Sequence, residues 1–568
     1  MYKTFVGIFI LILMMAHTSS AQFGSAPGGH PSWIKWRQID TDTVRLIYPE
    51  GLEPAAQRAV GMIHYMYANN RSSIGPHGGK FNILFRNQTV VPNGFVGSNP
   101  YRSEFYATPV LSNFAGPVDW MDLLTIHEYR HVMQTHNADV GIAKLVHWLS
   151  GEATWAGMTF LAIPNWFDEG DATIMETALT PSGRGRVPKF LAGYRALALD
   201  SIRYSYEKLR NGSLKHFLPN HYRTGYLMSS YVRNNFDNEL WSEIYSDAVR
   251  YRGIFYPFSR SLKKRTGMNT VQLYHQTLDE ADARWRGEAT DNNLRKSRVS
   301  QQLSRPHRKN TPTFYRFPQP INEDTYIVAM RSFKQRNALY QIQFPENNKD
   351  AKAYGKETRL VQMGITFDEN FSYKNGTAVW SELAFHPRWD YLNYYVIKSF
   401  NITTKEKKSL TSQSKYVGPD ISNDGKRIVA VDVTDQRKYQ LHILKAFDGT
   451  LMEKINTPED IFWAYPKWTT DDQHLIVVAT KEQQNALVKV DPASGEITEL
   501  VPYTSNFIEH PYVTADYVFF TFGYNGTDNI YAVPIAGGPV RQVTNAEVRA
   551  ATAGLSLDGR YLLYFLVG

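Results

Sequence analysis

The sequence predicts a multidomain protein in which an α+β domain precedes an all-β propeller. Up to about residue 290, two short strand-like runs are followed by long stretches with helical spacing of apolar residues. Beyond residue 312, short β runs recur at a regular interval with similar turn residues. A polar, basic segment without periodicity separates the two regions, and the 568 residues are enough for two domains.

The first residues, Met1–Ala21, are typical of a secretory leader. Lys3 provides the charged end, an apolar run follows from Phe5 to Met15, and Ser19-Ser20-Ala21 provides small residues before the predicted cleavage at Gln22. The run is shorter than the roughly 20 residues that cross a bilayer. We therefore expect export to the periplasm or the cell exterior, with a retained membrane anchor as the alternative.

Composition excludes several classes of function. The formal net charge of +8 is spread over a chain that is 20% charged, with acids and bases interspersed. A nucleic-acid-binding protein concentrates basic residues on one face, and we find no such motif. The chain has no cysteine, so it relies on its hydrophobic cores and cannot carry a lipid on an N-terminal cysteine.

The domain predicted over residues 22–290 begins with strands at Val44–Tyr48 and Phe81–Phe85. Between them, Pro54–Ala68 has helical spacing with its proline in the first turn, where proline is tolerated. From Ile142 onward the pattern is mainly helical and closes with Thr270–Trp285. This order predicts a strand-containing half and a helical half with a cleft between them.

Met121–His136 has an apolar pattern without Gly or Pro and is predicted to be a helix. It contains His127-Glu128-Tyr129-Arg130-His131, and the spacing of four places both imidazoles on one helical face. Zinc hydrolases need imidazole ligands and a carboxylate base. The pattern therefore predicts His127 and His131 as ligands and Glu128 as the base; the alternative is a surface helix with two solvated histidines.

A third ligand is required, and two glutamates compete for this role. Glu152 lies 21 residues after His131, and Glu169 lies 38 residues after it. The segment Trp166-x-x-Glu169-Gly170-x-Ala172 resembles the third-ligand motif of the gluzincin metallopeptidases. The resemblance covers roughly residues 30–290 and implies Zn²⁺ held by His127, His131 and Glu169. Glu152 then remains either an alternative ligand or a partner that orients a ligand histidine.

Tyr222-Arg223-Thr224-Gly225 resembles a second gluzincin motif, in which a tyrosine hydroxyl stabilises the oxyanion. The alternative is a core tyrosine at a helix start. The resemblance also implies an edge strand beside the zinc helix that pairs with substrate backbone, and we assign it to Phe105–Thr108, with a surface loop as the alternative. A Gly-x-Met-Glu-Asn segment is absent from the sequence, so aminopeptidase specificity is not supported.

Residues 291–311 are the predicted linker, and residues 312–568 carry the repeat. Turn aspartates fall at residues 424, 471, 516 and 558, so the successive spacings are 47, 45 and 42 residues. One four-stranded propeller blade fits this period, and Asp-Gly suits the tight turn between strands. The turn Pro419–Gly425 resembles those of TolB-like propellers; a β-sandwich is the competing fold.

Five blades and the start of a sixth are predicted before the sequence stops at Gly568. An open propeller exposes strand edges, so we expect the chain to be a fragment or its missing strands to come from elsewhere.

The leading functional hypothesis is an exported zinc-dependent metallopeptidase acting on a peptide or protein substrate. Glu128 would be the general base and Tyr222 the oxyanion donor, while the propeller would control access to the cleft or bind a protein partner. A Gly-x-Ser-x-Gly elbow is absent, which disfavours a serine peptidase. The alternative is an envelope binding or scaffold protein that uses the propeller and has an inactive peptidase-like domain.

Overall fold

The computed structural model describes residues 29–567, except residues 71, 99, 110–113, 238, 254, 290–301, 305–311, 345–353, 368–369 and 525. The predicted leader lies outside the described residues, as does most of the predicted linker. The described chain has a mixed, largely helical N-terminal region followed by a β-propeller.

A five-stranded sheet begins the N-terminal region. Buried and exposed side chains alternate in its central strands, because the α1 helix and the core cover one face. The strand order is β1-β2-β3-β5-β4, with β2, β3 and β5 parallel and the two outer strands antiparallel to their neighbours. The elements are β1 Trp36–Asp40, β2 Val44–Pro49, α1 Glu53–Asn69, β3 Phe81–Arg86, β4 Gly94–Ser98 and β5 Tyr101–Tyr106.

The predicted edge strand needs correction. Phe105 lies in β5, an inner strand of the sheet that pairs with β3 on one side and β4 on the other, and Thr108 follows the strand. The edge is β4, whose Gly94 lies against Leu124 and Glu128 of the following helix. An edge strand does lie beside that helix, but it is ten residues earlier than predicted.

Ten α-helices follow in the described part of this region, consistent with the predicted helical half. They are α2 Trp120–Ala138, α3 Gly141–Ser150, α4 Glu152–Ala162, α5 Asn165–Leu179, α6 Pro188–Leu199, α7 Tyr206–Asn211, α8 His221–Asn235, α9 Leu240–Val249, α10 Pro257–Thr266 and α11 Thr270–Ala289, with a 3-10 turn at Arg184–Arg186. Sheet and helices share one hydrophobic core. Over the described part of the chain, no helix is both long and apolar enough to cross a membrane.

The propeller prediction is confirmed, because the described residues form five four-stranded antiparallel sheets and a sixth sheet of two strands. In the last four of these sheets the predicted repeat turn, with its aspartate at residue 424, 471, 516 or 558, joins the first strand to the second. The blades are β6 Thr313–Pro320, β7 Thr325–Ser332, β8 Ala338–Gln343, β9 Lys356–Gln362; β10 Ser372–Lys374, β11 Thr377–Phe385, β12 Asn393–Asn401, β13 Lys407–Ser409; β14 Tyr416–Ile421, β15 Arg427–Val433, β16 Tyr439–Lys445, β17 Leu451–Lys454; β18 Phe462–Trp468, β19 Leu475–Lys481, β20 Gln484–Val490, β21 Ile497–Thr504; β22 Ile508–Val513, β23 Tyr517–Phe522, β24 Asn529–Pro534, β25 Arg541–Gln542; and β26 Arg549–Leu555 with β27 Leu562–Val567.

Five of the inner strands carry a bulge at an equivalent position. One residue of each bulge has a positive φ near 55°, and in four blades a proline follows it. This accounts for the proline that opens the sequence repeat. The bulged residues are Phe317, Gly418, Tyr465, His510 and Thr552.

The sixth sheet completes the ring of inner strands. Its first strand, β26, packs against β22 on one side and β6 on the other. Contact with β6 is close, because a Cβ at Gly554 would lie 2.1 Å from the carbonyl oxygen of Pro318. The six inner strands therefore surround one axis, along which a cavity lies.

The two regions contact each other through polar and apolar groups. Lys189 at the start of α6 donates to Glu509 of β22 at 2.7 Å, and Arg437 donates to Asp119, the N-cap of α2, at 2.7 Å. Val90 is fully buried in the core between two blades, and the neighbouring Thr89 donates to Asn393. The propeller thus contacts the helix that carries the predicted histidine ligands.

Candidate metal centre

The α2 helix places His127, Glu128 and His131 in the interior of the N-terminal region. Asp119 caps the helix by accepting from the backbone N–H groups of Met121 and Asp122. The helix is buried on most sides, and the two imidazoles lie one turn apart with ring centroids separated by 4.7 Å. The predicted common face for both histidines is confirmed.

Glu169 of α5 reaches the same point. Its Oε2 lies 3.2 Å from Nε2 of His127 and 3.4 Å from Nε2 of His131, and the two Nε2 atoms are 3.1 Å apart. Among the residues that the structure describes, this is the one group of three His, Asp or Glu side chains whose ligand atoms all lie within 4.8 Å of one another. Glu152 begins α4 and is not part of this group.

The outer nitrogen of each imidazole has a polar partner. Nδ1 of His127 lies 2.7 Å from Oε1 of the buried Glu176, and Nδ1 of His131 lies 2.8 Å from Oε1 of Gln134. The Gln134 amide nitrogen donates to the Asp168 carbonyl and to Asp171, which directs its oxygen to His131. Both partners can accept a proton from Nδ1, whereas the Arg184 guanidinium, which can only donate, also lies 2.9 Å from Nδ1 of His127.

When the ring protons lie on Nδ1, both Nε2 atoms present lone pairs to the same point as the Glu169 carboxylate. Three acceptors facing each other repel unless a cation lies among them. A tetrahedral zinc ion with bond lengths of about 2.0–2.1 Å has neighbouring ligands about 3.3 Å apart. The observed separations of 3.1–3.4 Å match this value, so the residues present fit a zinc ion.

Glu128 is a buried carboxylate with an unused oxygen. It is 4% exposed, and its Oε2 has no hydrogen-bond partner among the described residues. Burial raises the pKa of Glu128, and the nearby charge of Glu169 adds to this effect. A buried, unpaired carboxylate beside a metal site is suited to accept a proton from a bound water molecule or substrate.

Tyr222 lies in the first turn of α8, close to His127. Its ring centroid is 6.2 Å from that of His127, and the Arg184 guanidinium lies over the ring at 4.8 Å. Burial, with a contribution from Glu169, raises the pKa of Tyr222, so the phenol stays protonated and can donate a hydrogen bond.

The approach of α8 depends on two glycines. A Cβ at Gly225 would lie 1.7 Å from the Trp166 carbonyl oxygen, and a Cβ at Gly170 would lie 2.1 Å from the Gly225 carbonyl carbon. The α5 and α8 helices therefore meet backbone to backbone at this point. These are the glycines of the two sequence motifs, and their contact brings Tyr222 and Glu169 to one site.

A buried ionic group fixes the three helices that carry the site. Asp171 of α5 accepts from Arg130 of α2 at 2.6 and 3.1 Å and from Arg233 of α8 at 2.7 Å. Burial alone would raise the pKa of Asp171, but the two guanidinium groups bring it down to about 2. Asp171 is thus charged, and it also accepts from Gln134, the partner of His131.

Glu176 and Arg184 were not identified from the sequence as part of the site. Arg184 donates to Glu176 through Nε at 2.8 Å, and its Nη2 lies 2.9 Å from Nδ1 of His127. Burial alone would raise the pKa of Glu176, but Arg184 brings it down to about 2, which keeps the carboxylate charged beside the imidazole. One signal was available, since Glu176 lies seven residues after Glu169 on the same face of α5.

Fold and site together define a two-domain protein in which a partly buried His-His-Glu cluster lies in a mixed α and β region and a β-propeller follows. No family model and no curated protein matches the chain.

Solved structures similar to the chain include two TolB proteins and a protease propeller. TolB from Acinetobacter baumannii is 12% identical, with a TM-score of 0.31, and the match covers 52% of this chain and 65% of that chain, just under two thirds. Putative TolB from Agrobacterium tumefaciens is 15% identical over 45% of this chain and 92% of that one, with a TM-score of 0.32. The propeller domain of the Trilobed protease from Pyrococcus furiosus is 11% identical, with coverages of 44% and 90% and a TM-score of 0.28. The propeller assignment rests on the sheets of this chain.

Proposed function

We propose that the protein is an exported zinc-dependent metallopeptidase. The observation that carries the proposal is the convergence of two imidazole Nε2 atoms and one carboxylate oxygen at 3.1–3.4 Å. His127, His131 and Glu169 would hold the ion, which leaves a fourth tetrahedral position free. When bound, zinc supplies a Lewis acid and lowers the pKa of water to about 7.

Glu128 performs the proton transfers in this proposal. Its unpaired Oε2 accepts a proton from the attacking water and then donates it to the leaving amine. Because burial raises its pKa, the protonated form is accessible at the second step. The same helix holds Glu128 and both histidines, so the base and the ligands keep a fixed spacing.

Tyr222 donates its hydroxyl proton in a hydrogen bond to the carbonyl oxygen as negative charge develops there. The β4 edge strand supplies backbone groups for an extended substrate, because it lies beside α2 with Gly94 next to Glu128. Main-chain pairing of this kind demands little sequence specificity. The propeller restricts access to this cleft or binds a protein partner, and its contact with Asp119 supports a role in holding α2.

Metal analysis of purified variants tests the proposal. The parent should contain one zinc ion per chain, and Glu169→Ala should lose it. Glu152→Ala is the matched control and should retain zinc, because Glu152 is outside the cluster. Zinc retained by Glu169→Ala and lost by Glu152→Ala would assign the third ligand to Glu152 instead.

A peptide-library digest then separates an enzyme from a binding protein. Glu128→Gln keeps the shape of the side chain but cannot accept the proton, so cleavage should fall by about 10²–10⁴-fold while zinc content is unchanged. If the variant cleaves as fast as the parent, the proposed mechanism is wrong. If the zinc-loaded parent cleaves no peptide, the propeller-based binding function becomes the better hypothesis.

A further inference from the structure

The α3–α4 hairpin has a large apolar surface that faces outward. Most bulky apolar side chains of both helices are exposed, and the buried positions are Ala143, Trp155 and Ala162. Trp148 is 81% exposed and Phe160 is 72% exposed. The exposed group consists of Ile142, Leu145, Trp148, Leu149, Phe160 and Leu161.

Two further aromatic residues extend this surface. The loop after α9 contacts the hairpin, since the Tyr251 hydroxyl donates to the Met158 carbonyl at 2.6 Å and Arg250 packs against Gly141. The same loop continues to Phe255 and Tyr256, which are both largely exposed. Exposed apolar residues scattered singly are ordinary, but a contiguous group of this size indicates an interaction surface.

The hairpin itself carries little charge, and the helix that follows Tyr256 is basic. Between residues 140 and 163 the charged side chains are Lys144 and the hairpin-turn residue Glu152. The α10 helix, which begins directly after Tyr256, has four basic residues and no acidic one: Arg260, Lys263, Lys264 and Arg265. Arg265 pairs with Glu243 and Asp247, while Lys263 and Lys264 are exposed.

We infer that this surface docks the protein on an anionic lipid bilayer. Trp, Phe and Leu on the outer faces of short helices, with lysine and arginine beside them, are the combination that binds the boundary between headgroups and acyl chains. The two helices have 10 and 11 residues, about half of what crosses a bilayer, so they lie along it. The basic α10 complements anionic headgroups. This inference does not depend on the metal site.

Vesicle co-sedimentation tests the apolar part of the surface. The chain from Gln22 onward, which keeps every described residue, should bind phosphatidylcholine vesicles containing phosphatidylglycerol. The double variant Trp148→Glu and Phe160→Glu should reduce the partition coefficient by at least about tenfold, because each substitution replaces apolar burial by a charge. Phe447→Glu is the matched control, since Phe447 is 84% exposed on the propeller, and it should bind like the parent.

The basic part has its own test. The double variant Lys263→Glu and Lys264→Glu should bind anionic vesicles more weakly, by at least about fivefold for each lysine replaced. Its binding to vesicles of pure phosphatidylcholine should change little. Lys426→Glu, an exposed lysine on a propeller turn, is the control. Zinc content and thermal melting should be unchanged in all variants.

Two results would overturn the inference. If the Trp148→Glu and Phe160→Glu double variant binds vesicles as strongly as the parent does, the hairpin is not the lipid contact. The second result is a parent that does not bind vesicles and is dimeric by light scattering. If the same substitutions then make it monomeric, the surface joins two copies of the chain.

Discussion

The orientation of two imidazole rings determines the chemistry of the candidate site. Each ring has two nitrogens, and only the nitrogen without a proton can bind a metal. Glu176 and Gln134 can accept from the Nδ1 positions, and in that tautomer the Nε2 lone pairs of His127 and His131 face Glu169. Residues outside the ligand set therefore decide whether the cluster can bind a cation.

Replacing Glu176 by Gln should weaken zinc binding about 10–100-fold, since loss of such an outer partner typically has this effect. An amide accepts the Nδ1 proton less strongly than a carboxylate and leaves Arg184 without its counter-charge. Competition with a chromophoric chelator would measure the dissociation constant. Glu280→Gln, an exposed position on α11, is the control and should bind zinc like the parent.

An affinity unchanged in Glu176→Gln would mean that the Nδ1 proton of His127 is held by another group. The cluster itself was predictable, because His127, His131 and Glu169 belong to short motifs of the sequence. Glu176 and Arg184 were not, since their contacts with His127 depend on a turn after α5 that returns the chain to the histidine.

At the scale of elements, the crossing of α5 and α8 sets the distance between Glu169 and Tyr222. The contact between Gly170 and Gly225 leaves no room for a side chain on either helix. Helices that meet this closely bring Glu169, which is next to Gly170, and Tyr222, which lies one turn before Gly225, into the same small volume. The Gly in each motif is therefore required by packing.

Gly225→Ala should separate these helices. The new Cβ would lie 1.7 Å from the Trp166 carbonyl oxygen, which is backbone and cannot rotate away. We expect a loss of stability of about 1–3 kcal/mol, as for other overpacked sites, together with a loss of zinc affinity. Thermal unfolding and metal analysis would measure both quantities.

Gly61→Ala in α1 is the matched control, because nothing lies within 4 Å of a Cβ at that position. It should stabilise the helix by about 0.5–1 kcal/mol, as expected for Ala in place of Gly. A Gly225→Ala protein with the melting temperature and zinc content of the parent would contradict the packing argument.

Strand identity was harder to predict than helix identity. The edge strand was placed in Phe105–Thr108 because the resemblance implies a strand beside the predicted zinc helix. The true edge, β4, contains Gly94 and Gly97 and has weak strand propensity of its own. It is a strand because it pairs with β5 along its length and lies against α2, and a local pattern does not contain this tertiary information.

At the scale of the whole molecule, the propeller was predictable and the contact between the two regions was not. A turn repeated at an interval of 42–47 residues identifies a blade without any knowledge of its neighbours. The interface depends on single residues far apart in sequence, such as Lys189 with Glu509 and Arg437 with Asp119. None of these residues belongs to a motif, so only the folded chain relates them.

The Lys189–Glu509 pair should make the stability of the molecule depend on pH. Burial alone would raise the pKa of Glu509, but Lys189, with His510 and Arg549 also facing it, lowers the pKa below its ordinary value. A carboxylate whose pKa is lowered in the folded state contributes its full stabilisation of the fold above its unfolded-state pKa of about 4.3. This stabilisation is lost as the pH falls through the folded-state pKa. Glu509→Gln should therefore melt well below the parent at pH 7, and the difference should shrink below about pH 4.

Melting curves of both proteins between pH 7 and pH 3 would measure this difference. Glu496→Gln, an exposed turn residue of the neighbouring blade, is the control and should melt like the parent at every pH. Because Glu509 lies on an inner strand and Lys189 at the start of α6, losing the pair weakens the contact between the propeller and the helical region. A melting difference that stays constant down to pH 3 would show that Glu509 acts through its shape and hydrogen bonding, with no contribution from its charge.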